Sequence, residues 1–344
     1  MSAPLRLRIE TEALADNWRA LDRLSGAAAC GAAVKADGYG LGAARVVEVL
    51  AAAGCGDFFV ATWAEAAALR AETPLSVLHG VREADMAQAL ASTARPVLNT
   101  AAQVARWKAA GGGQCDVMVD TGMNRLGVSP DEVRAGLLDG LTIDTLMSHL
   151  ASADEDSTLN ERQRARFAAL ADLTGARRLS LANSAALALG EGYRFDLTRP
   201  GLALYGGVPR PELASAVRQV VFPEVEVLQR RRVPAGESVG YNATWIAPAE
   251  TEVAIVNIGY ADGYFRGFSG TGAAKVGDTR LPVLGRVSMD LLAIDVSATP
   301  DMGEGDWVGI DFALPGAAKA SGMSQYELLT ALGQRYLRGW TAAD

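Results

Sequence analysis

AAVKADGYGLG (Ala32–Gly42) sets the unit from which the first half of the chain is built. A short apolar run ends in Lys35, turns through glycines around Tyr39, and leads into a helix-spaced segment carrying Val46, Val47 and Leu50. A strand that delivers a lysine to its own end is a costly place for an ammonium unless the charge is used or removed. Burial lowers an amine's pKa from about 10.4, and amines tuned to ~7–8 form Schiff bases and move protons. From this stretch alone, a lysine head that snorkels out of the strand end reads equally well. The same unit recurs along the chain. Apolar runs end near Lys35, Ala61, Leu78, Leu98, Val119, Met147, Leu181 and Leu197. Most intervening segments are helix-spaced or alanine-rich, and one opens with Thr62 three residues before Glu65, the spacing of a capping box. Eight strands alternating with helices predict an α/β fold, a TIM-type (β/α)₈ barrel, with an open doubly wound sheet as the alternative.

Upstream of this rhythm, Leu5–Ile9 alternates like a short strand, and Leu14, Trp18, Leu21 and Leu24 keep helical spacing. After about Val220 the texture changes. VEVLQRRRV, EVAIVNIGY, LPVLGRVSMDLLAIDV and DWVGIDF are rich in β-branched residues and broken by glycine-acid turns, the pattern of antiparallel hairpins. The expectation is a barrel over 1–220 and a mostly antiparallel β-domain over 221–344, with strand 5–9 free to pack against that second domain.

A net charge of −8 without a long basic run argues against nucleic acid and anionic membranes as partners and leaves small solutes. The opening MSAPLRLRIETEAL lacks the apolar core of a signal peptide, and no run approaches bilayer-spanning length, so the expected location is cytoplasmic. Cys30, Cys55 and Cys115 are odd in number and lack CxxC spacing, so they read as core residues rather than disulfides or zinc ligands. Asp154–Ser157 within ADEDS reads as a solvated acidic loop before it reads as a cation site, and no metal is expected. The glycines of GYGLG lack the dinucleotide spacing GxGxxG.

Barrel active sites form where strands end, and those positions are polar here. Tyr39 follows Lys35; DTGMNRLG carries Asp120 and Arg125; SHL carries His149; ANSAAL carries Asn183 and Ser184; DLTRPG carries Arg199 and Gly201. Each has a plain explanation: Ser184 as a helix cap, Arg199 paired with Asp196, His149 as a satisfied core histidine. Together they make a pocket with one amine, two arginines and a phosphate cradle, the inventory that pyridoxal phosphate uses.

The ordered set AAVKADGYGLG, DTGMNRLG, SHLASAD, ANSAAL, DLTRPGLALYGG, VGYNATW, NIGYADGY and GRVSMD resembles that of the alanine racemase family. The resemblance implies a barrel plus β-domain, a homodimer with shared active sites, pyridoxal 5'-phosphate, and racemisation of L- and D-alanine, the D-form being a peptidoglycan precursor. It implies that Lys35 takes the cofactor's aldehyde and serves one face of Cα, while Tyr241 of the second copy serves the other. Tyr39, Ser184, Gly201 and Leu202 would hold the phosphate. Arg199, held by His149, would face the ring nitrogen, and Arg125 the ring hydroxyl and the substrate carboxylate. Tyr260, Met289 and Asp290 would form the substrate wall. Two departures stand out: Met118 occupies the place where some members carry a carbamylated lysine, and Gln334 of TALGQRYLR the place of a phosphate-binding tyrosine. A broad-specificity racemase and an amino-acid decarboxylase are the rival enzymes. A non-catalytic carrier of the cofactor would have no use for a β-domain bearing Tyr241 and Tyr260.

Overall fold

The computed structural model describes residues 3–70 and 72–341. They form two compact units: one comprises 14–204 with 208–218, the other the residues through Ala13, Tyr205–Gly207 and the chain from Gln219 onward.

In the first unit, seven parallel strands follow one another in sequence order: Ala32–Ala33, Phe58–Val60, Leu75–Val77, Arg95–Leu98, Cys115–Met118, Ile143–Met147 and Arg178–Ser180. Most are buried on both faces, which is why they read as mainly apolar runs, with Ser76, Asp116, Asp144 and Thr145 as the buried polar exceptions. The eighth strand, Leu197–Thr198, closes the ring. It pairs in parallel with Ala29–Cys30, while Asp196 N–H donates to the Leu179 carbonyl at 3.0 Å and Ala33 N–H to the Pro200 carbonyl at 2.9 Å. The eight-strand barrel expected from the apolar runs is therefore present, and the open-sheet alternative is not. Helices including Ala43–Ala53, Ala101–Ala109 and Thr158–Ala168 alternate with the strands, but Ala185–Leu189 after the seventh strand is only a 3₁₀ turn.

The end of the barrel where the strands begin is sealed by ions. Arg178 spans Asp57 (2.7 and 2.8 Å) and Asp144 (2.7 Å), Arg177 also reaches Asp144, and Arg95 lies 3.4 Å from Asp116, whose carboxylate accepts from Ser76 Oγ at 2.5 Å. Burial raises Asp144, yet hydrogen bonds from Arg178 and Arg177 bring it down to about 2, whereas burial dominates at Asp116 and raises it. With this end filled, only the opposite end is open for chemistry.

The second unit is an antiparallel barrel in which Val221–Val233 pairs with both Thr251–Val256 and Trp307–Ile310, and Leu292–Asp295, Thr279–Leu284 and Ala273–Val276 complete the ring. Leu5–Ile9 lies in this sheet, antiparallel to Val221–Val225 and parallel to Leu337–Trp340. Cys30, Cys55 and Cys115 are buried free thiols. Among the described residues no helix is long and apolar enough to cross a membrane and no cluster of side chains could hold a metal ion. Asp156 of the acidic loop pairs with Arg210 at 2.6 Å.

Candidate active site

Lys35 leaves its strand at the open end of the first barrel. The next four residues, Ala36 to Tyr39, all have positive φ (53°, 52°, 61° and 56°), so the turn winds left-handed although three of them are not glycine. That conformation costs roughly 1–2 kcal/mol per residue with a Cβ. Two carboxylates hold it. Glu65 Oε1 accepts the Ala36 N–H at 2.9 Å while its other oxygen accepts Ala61 N–H, and Asp37 Oδ1 accepts Ala43 N–H at the start of the next helix. Tyr39 is buried.

The charges around Lys35 are mostly of its own sign. Its side chain is reached by solvent, and partial desolvation, then Arg125 and Arg199, lower its pKa against a single opposing carboxylate, Glu65. His149 is held at about 3 by burial and by the same three cations, so it is neutral at physiological pH. Arg199 is 7% exposed; burial lowers it to about 10, Asp116 acting in the other direction, and it keeps its charge at neutral pH. Its partners are neutral: it donates to Ser180 Oγ and, at 2.7 Å, to the Ser148 carbonyl. The ion pair with Asp196 that the sequence allows does not form, because Asp196 accepts the Leu179 N–H instead. A mouth of cations with one facing carboxylate is built for an anion.

Ser184 supplies a second polar centre. It is not a helix cap; its Oγ crosses to the next loop and accepts the N–H groups of Gly201 (2.9 Å) and Ala203 (3.2 Å). Both acceptor positions are thereby used, which leaves the hydroxyl proton to donate. Gly201 packs under Tyr39 so closely that a Cβ there would lie 2.2 Å from the tyrosine hydroxyl. Lys35, Tyr39, Arg125, His149, Ser184, Arg199, Gly201 and Leu202 all belong to this first unit.

The other named residues lie in the second unit. Tyr241 sits in a turn with Asn242 and Ala243 at positive φ and is 67% exposed. It edges an apolar groove of ≈ 370 Å³ with Val239, Ile255, Leu284 and Leu291. Tyr260 and Met289–Asp290 are laced together by Tyr260 N–H to the Ser288 carbonyl and Ala261 N–H to the Met289 carbonyl, both 3.1 Å. Arg335 locks that pair of loops: it is bidentate to buried Asp262 (2.7 Å twice) and reaches Asp290 at 2.7 Å. Sequence reasoning passed over Arg335 and Asp37, and read Glu65 only as the capping-box partner of Thr62, a box that does form. Thr62–Glu65 signals a cap, but nothing local in the sequence reports that the same glutamate reaches Ala36.

Residues 9–209 match the family described as alanine racemase, N-terminal domain, and residues 220–340 its C-terminal domain. Among curated relatives, the alanine racemase of Acidiphilium cryptum is 43% identical over 348 residues, with 96% of this chain and 97% of that protein covered. The catabolic alanine racemase of Agrobacterium fabrum is 41% identical, with 97% and 91% covered. Among solved structures, alanine racemase from Bartonella henselae with covalently bound pyridoxal phosphate superposes with a TM-score of 0.90 at 31% identity, over 99% of this chain and 100% of that one. The biosynthetic alanine racemase of Pseudomonas aeruginosa gives 0.90 at 35%, with the same coverage.

Proposed function

The chain belongs to the alanine racemase family and is a pyridoxal-phosphate-dependent isomerase of alanine; from that premise we propose that Lys35 serves one face of the substrate Cα and Tyr241 of a second copy the other. The carrying observation is the barrel mouth, where a lysine with a lowered pKa shares its space with a buried arginine that has only neutral partners. That donor set fits the cofactor. Lys35 would take the aldehyde, Tyr39, Ser184, Gly201 and Leu202 the phosphate, Arg199 the ring nitrogen, with His149 beside it, and Arg125 the ring hydroxyl and the substrate carboxylate. When bound, pyridoxal phosphate would supply an aldehyde that an amine can condense with and a conjugated electron-withdrawing ring that acidifies Cα of an amino acid so attached.

Racemisation removes a proton from one face of Cα and returns one to the other, so two bases must flank one carbon. Lys35, partly desolvated and among cations, holds its nitrogen lone pair more readily than an isolated surface lysine does. Tyr241 is exposed, as are Ile246, Met289 and Leu291, all large apolar side chains of its own unit, and such surface calls for a cover. A homodimer supplies one, and Tyr260, Met289 and Asp290 would then form the substrate wall for the partner's Lys35. Three buried free thiols agree with a reducing, cytoplasmic setting.

Two substitutions within the first unit probe the cofactor site. Arg199 has no lone pair and keeps its proton, so a ring nitrogen facing it is the acceptor and stays unprotonated. Electron density left at Cα is then drawn only weakly into the ring, which disfavours protonation elsewhere. Arg199→Glu is expected to raise pyruvate formation per racemisation turnover, and an unchanged ratio would count against this role. Gly201→Ala places a methyl group 2.2 Å from the Tyr39 hydroxyl, which must then move. Its cofactor affinity is expected to fall by about 10- to 100-fold, the value of one or two hydrogen bonds to a charged group, read from titration of apoprotein by absorbance. The assignment as a whole is tested by incubating the purified protein with L-alanine, serine, lysine and arginine side by side and measuring each D-form by chiral chromatography; alanine is expected to turn over fastest.

A further inference from the structure

Arg125 makes no hydrogen bond or ion pair through its guanidinium among the described residues; it is held through its main-chain N–H. The strand leading to its loop carries Met118, which sits in an apolar cluster with Phe59, Val97, Met147 and Leu197. A thioether there can neither be carbamylated nor supply negative charge. One carboxylate does hold the loop. Asp120 Oδ1 accepts the N–H groups of Gly122 (2.8 Å), Met123 (3.0 Å) and Asn124 (3.1 Å), and its Oδ2 accepts that of Arg125 itself at 2.9 Å. Four consecutive amides converge on one charge, and charge-assisted hydrogen bonds are roughly twice as strong as neutral ones. The bend requires Asn124 at φ 55° and brings Gly127 beneath Asp120, where a Cβ would lie 2.5 Å from the Asp120 nitrogen. The base of the loop is pinned by the Thr121 and Ser148 hydroxyls, 2.8 Å apart, and by Arg166 to the Thr121 carbonyl at 3.2 Å.

We infer that Asp120 is the positioning residue for Arg125, fixing through the main chain the point from which the guanidinium reaches the substrate carboxylate. This rests on the reading of Arg125 as the ligand of that carboxylate. A side chain launched from a fixed backbone loses less freedom on binding than one launched from a mobile loop, so the effect belongs to affinity more than to turnover.

The test uses holoenzyme and two readouts, alanine kinetics and calorimetric binding of propionate, which is alanine without its amine. Asp120→Asn turns an NH₂ toward the converging donors. It is expected to raise both KM and the propionate Kd by about tenfold, with kcat changed much less, and to speed amide exchange at 122–125. Asp120→Glu keeps both oxygens and is expected to recover part of the affinity; it also carries the test if the asparagine variant does not fold. In an Arg125→Ala background neither substitution should weaken propionate further, since the two positions act as one. An equal further loss in that background, or freed amides with unchanged propionate binding, would overturn the inference. If Arg125→Ala alone leaves propionate binding intact, the reading of Arg125 falls first and the role of Asp120 falls with it.

Discussion

Tyr241→Phe is expected to lower kcat/KM by the same factor in both directions, about 10²–10⁴. Enantiomers of a free amino acid have equal free energy in achiral water, so the ratio of forward to reverse kcat/KM is fixed at one for every variant. Rates alone therefore cannot tell which face lost its base. Isotope exchange can. With Lys35 intact on its own face, the variant should still exchange the Cα proton of D-alanine with solvent deuterium while losing that of L-alanine, as measured by mass spectrometry under initial-rate conditions. Equal retention for both enantiomers would refute the assignment of faces. The exposed position of Tyr241 makes the substitution safe for folding, since removing a hydroxyl from a side chain 67% exposed disturbs no buried partner.

Lys35→Ala should do more, because it removes a base and the amine that takes the cofactor's aldehyde together. A loss of about 10⁴-fold or more is expected in both directions, and any residual exchange should fall on L-alanine, whose face Tyr241 still serves. Borohydride treatment followed by digestion should label the peptide containing Lys35 in the native chain and no peptide in the variant. Label on another peptide of the native protein would overturn the placement of the chemistry. Substitution by alanine opens a gap in a mouth already rich in cations, so the variant should fold at least as well as the native chain once the desolvated ammonium is gone.

Much of this could be read along the chain, for physical reasons that also mark where reading stops. Strands such as Phe58–Val60 and Val97–Leu98 within Arg95–Leu98 are buried, so short apolar runs announced them. Their polar termini then pointed to one end of the barrel. The opposite end was missed: Asp57, Arg95, Asp116, Asp144 and Arg178 form a network there, yet each looks in sequence like an isolated charge at the edge of a run. Ser184 was legible as a residue type but not as to partner, since its bonds to Gly201 and Ala203 depend on two loops meeting. The same holds for Arg335, whose three carboxylate bonds reach 45 and 73 residues back. Contacts of that kind are set by closure of the fold, and no local window contains them.

The handedness of the segment after Lys35 was also out of reach, because Ala36 and Tyr39 do not advertise it and Asp37, a residue that tolerates it, does so only weakly. It limits what can be written there. A β-branched side chain at any of these three positions would be an outlier whatever it touched, so valine, isoleucine and threonine are barred by chirality alone. The alphabet allowed beside the reactive lysine is thus narrowed by the mirror-image winding of the backbone as well as by anything the pocket holds, and a catalogue of ligand contacts would misjudge why this loop resists change.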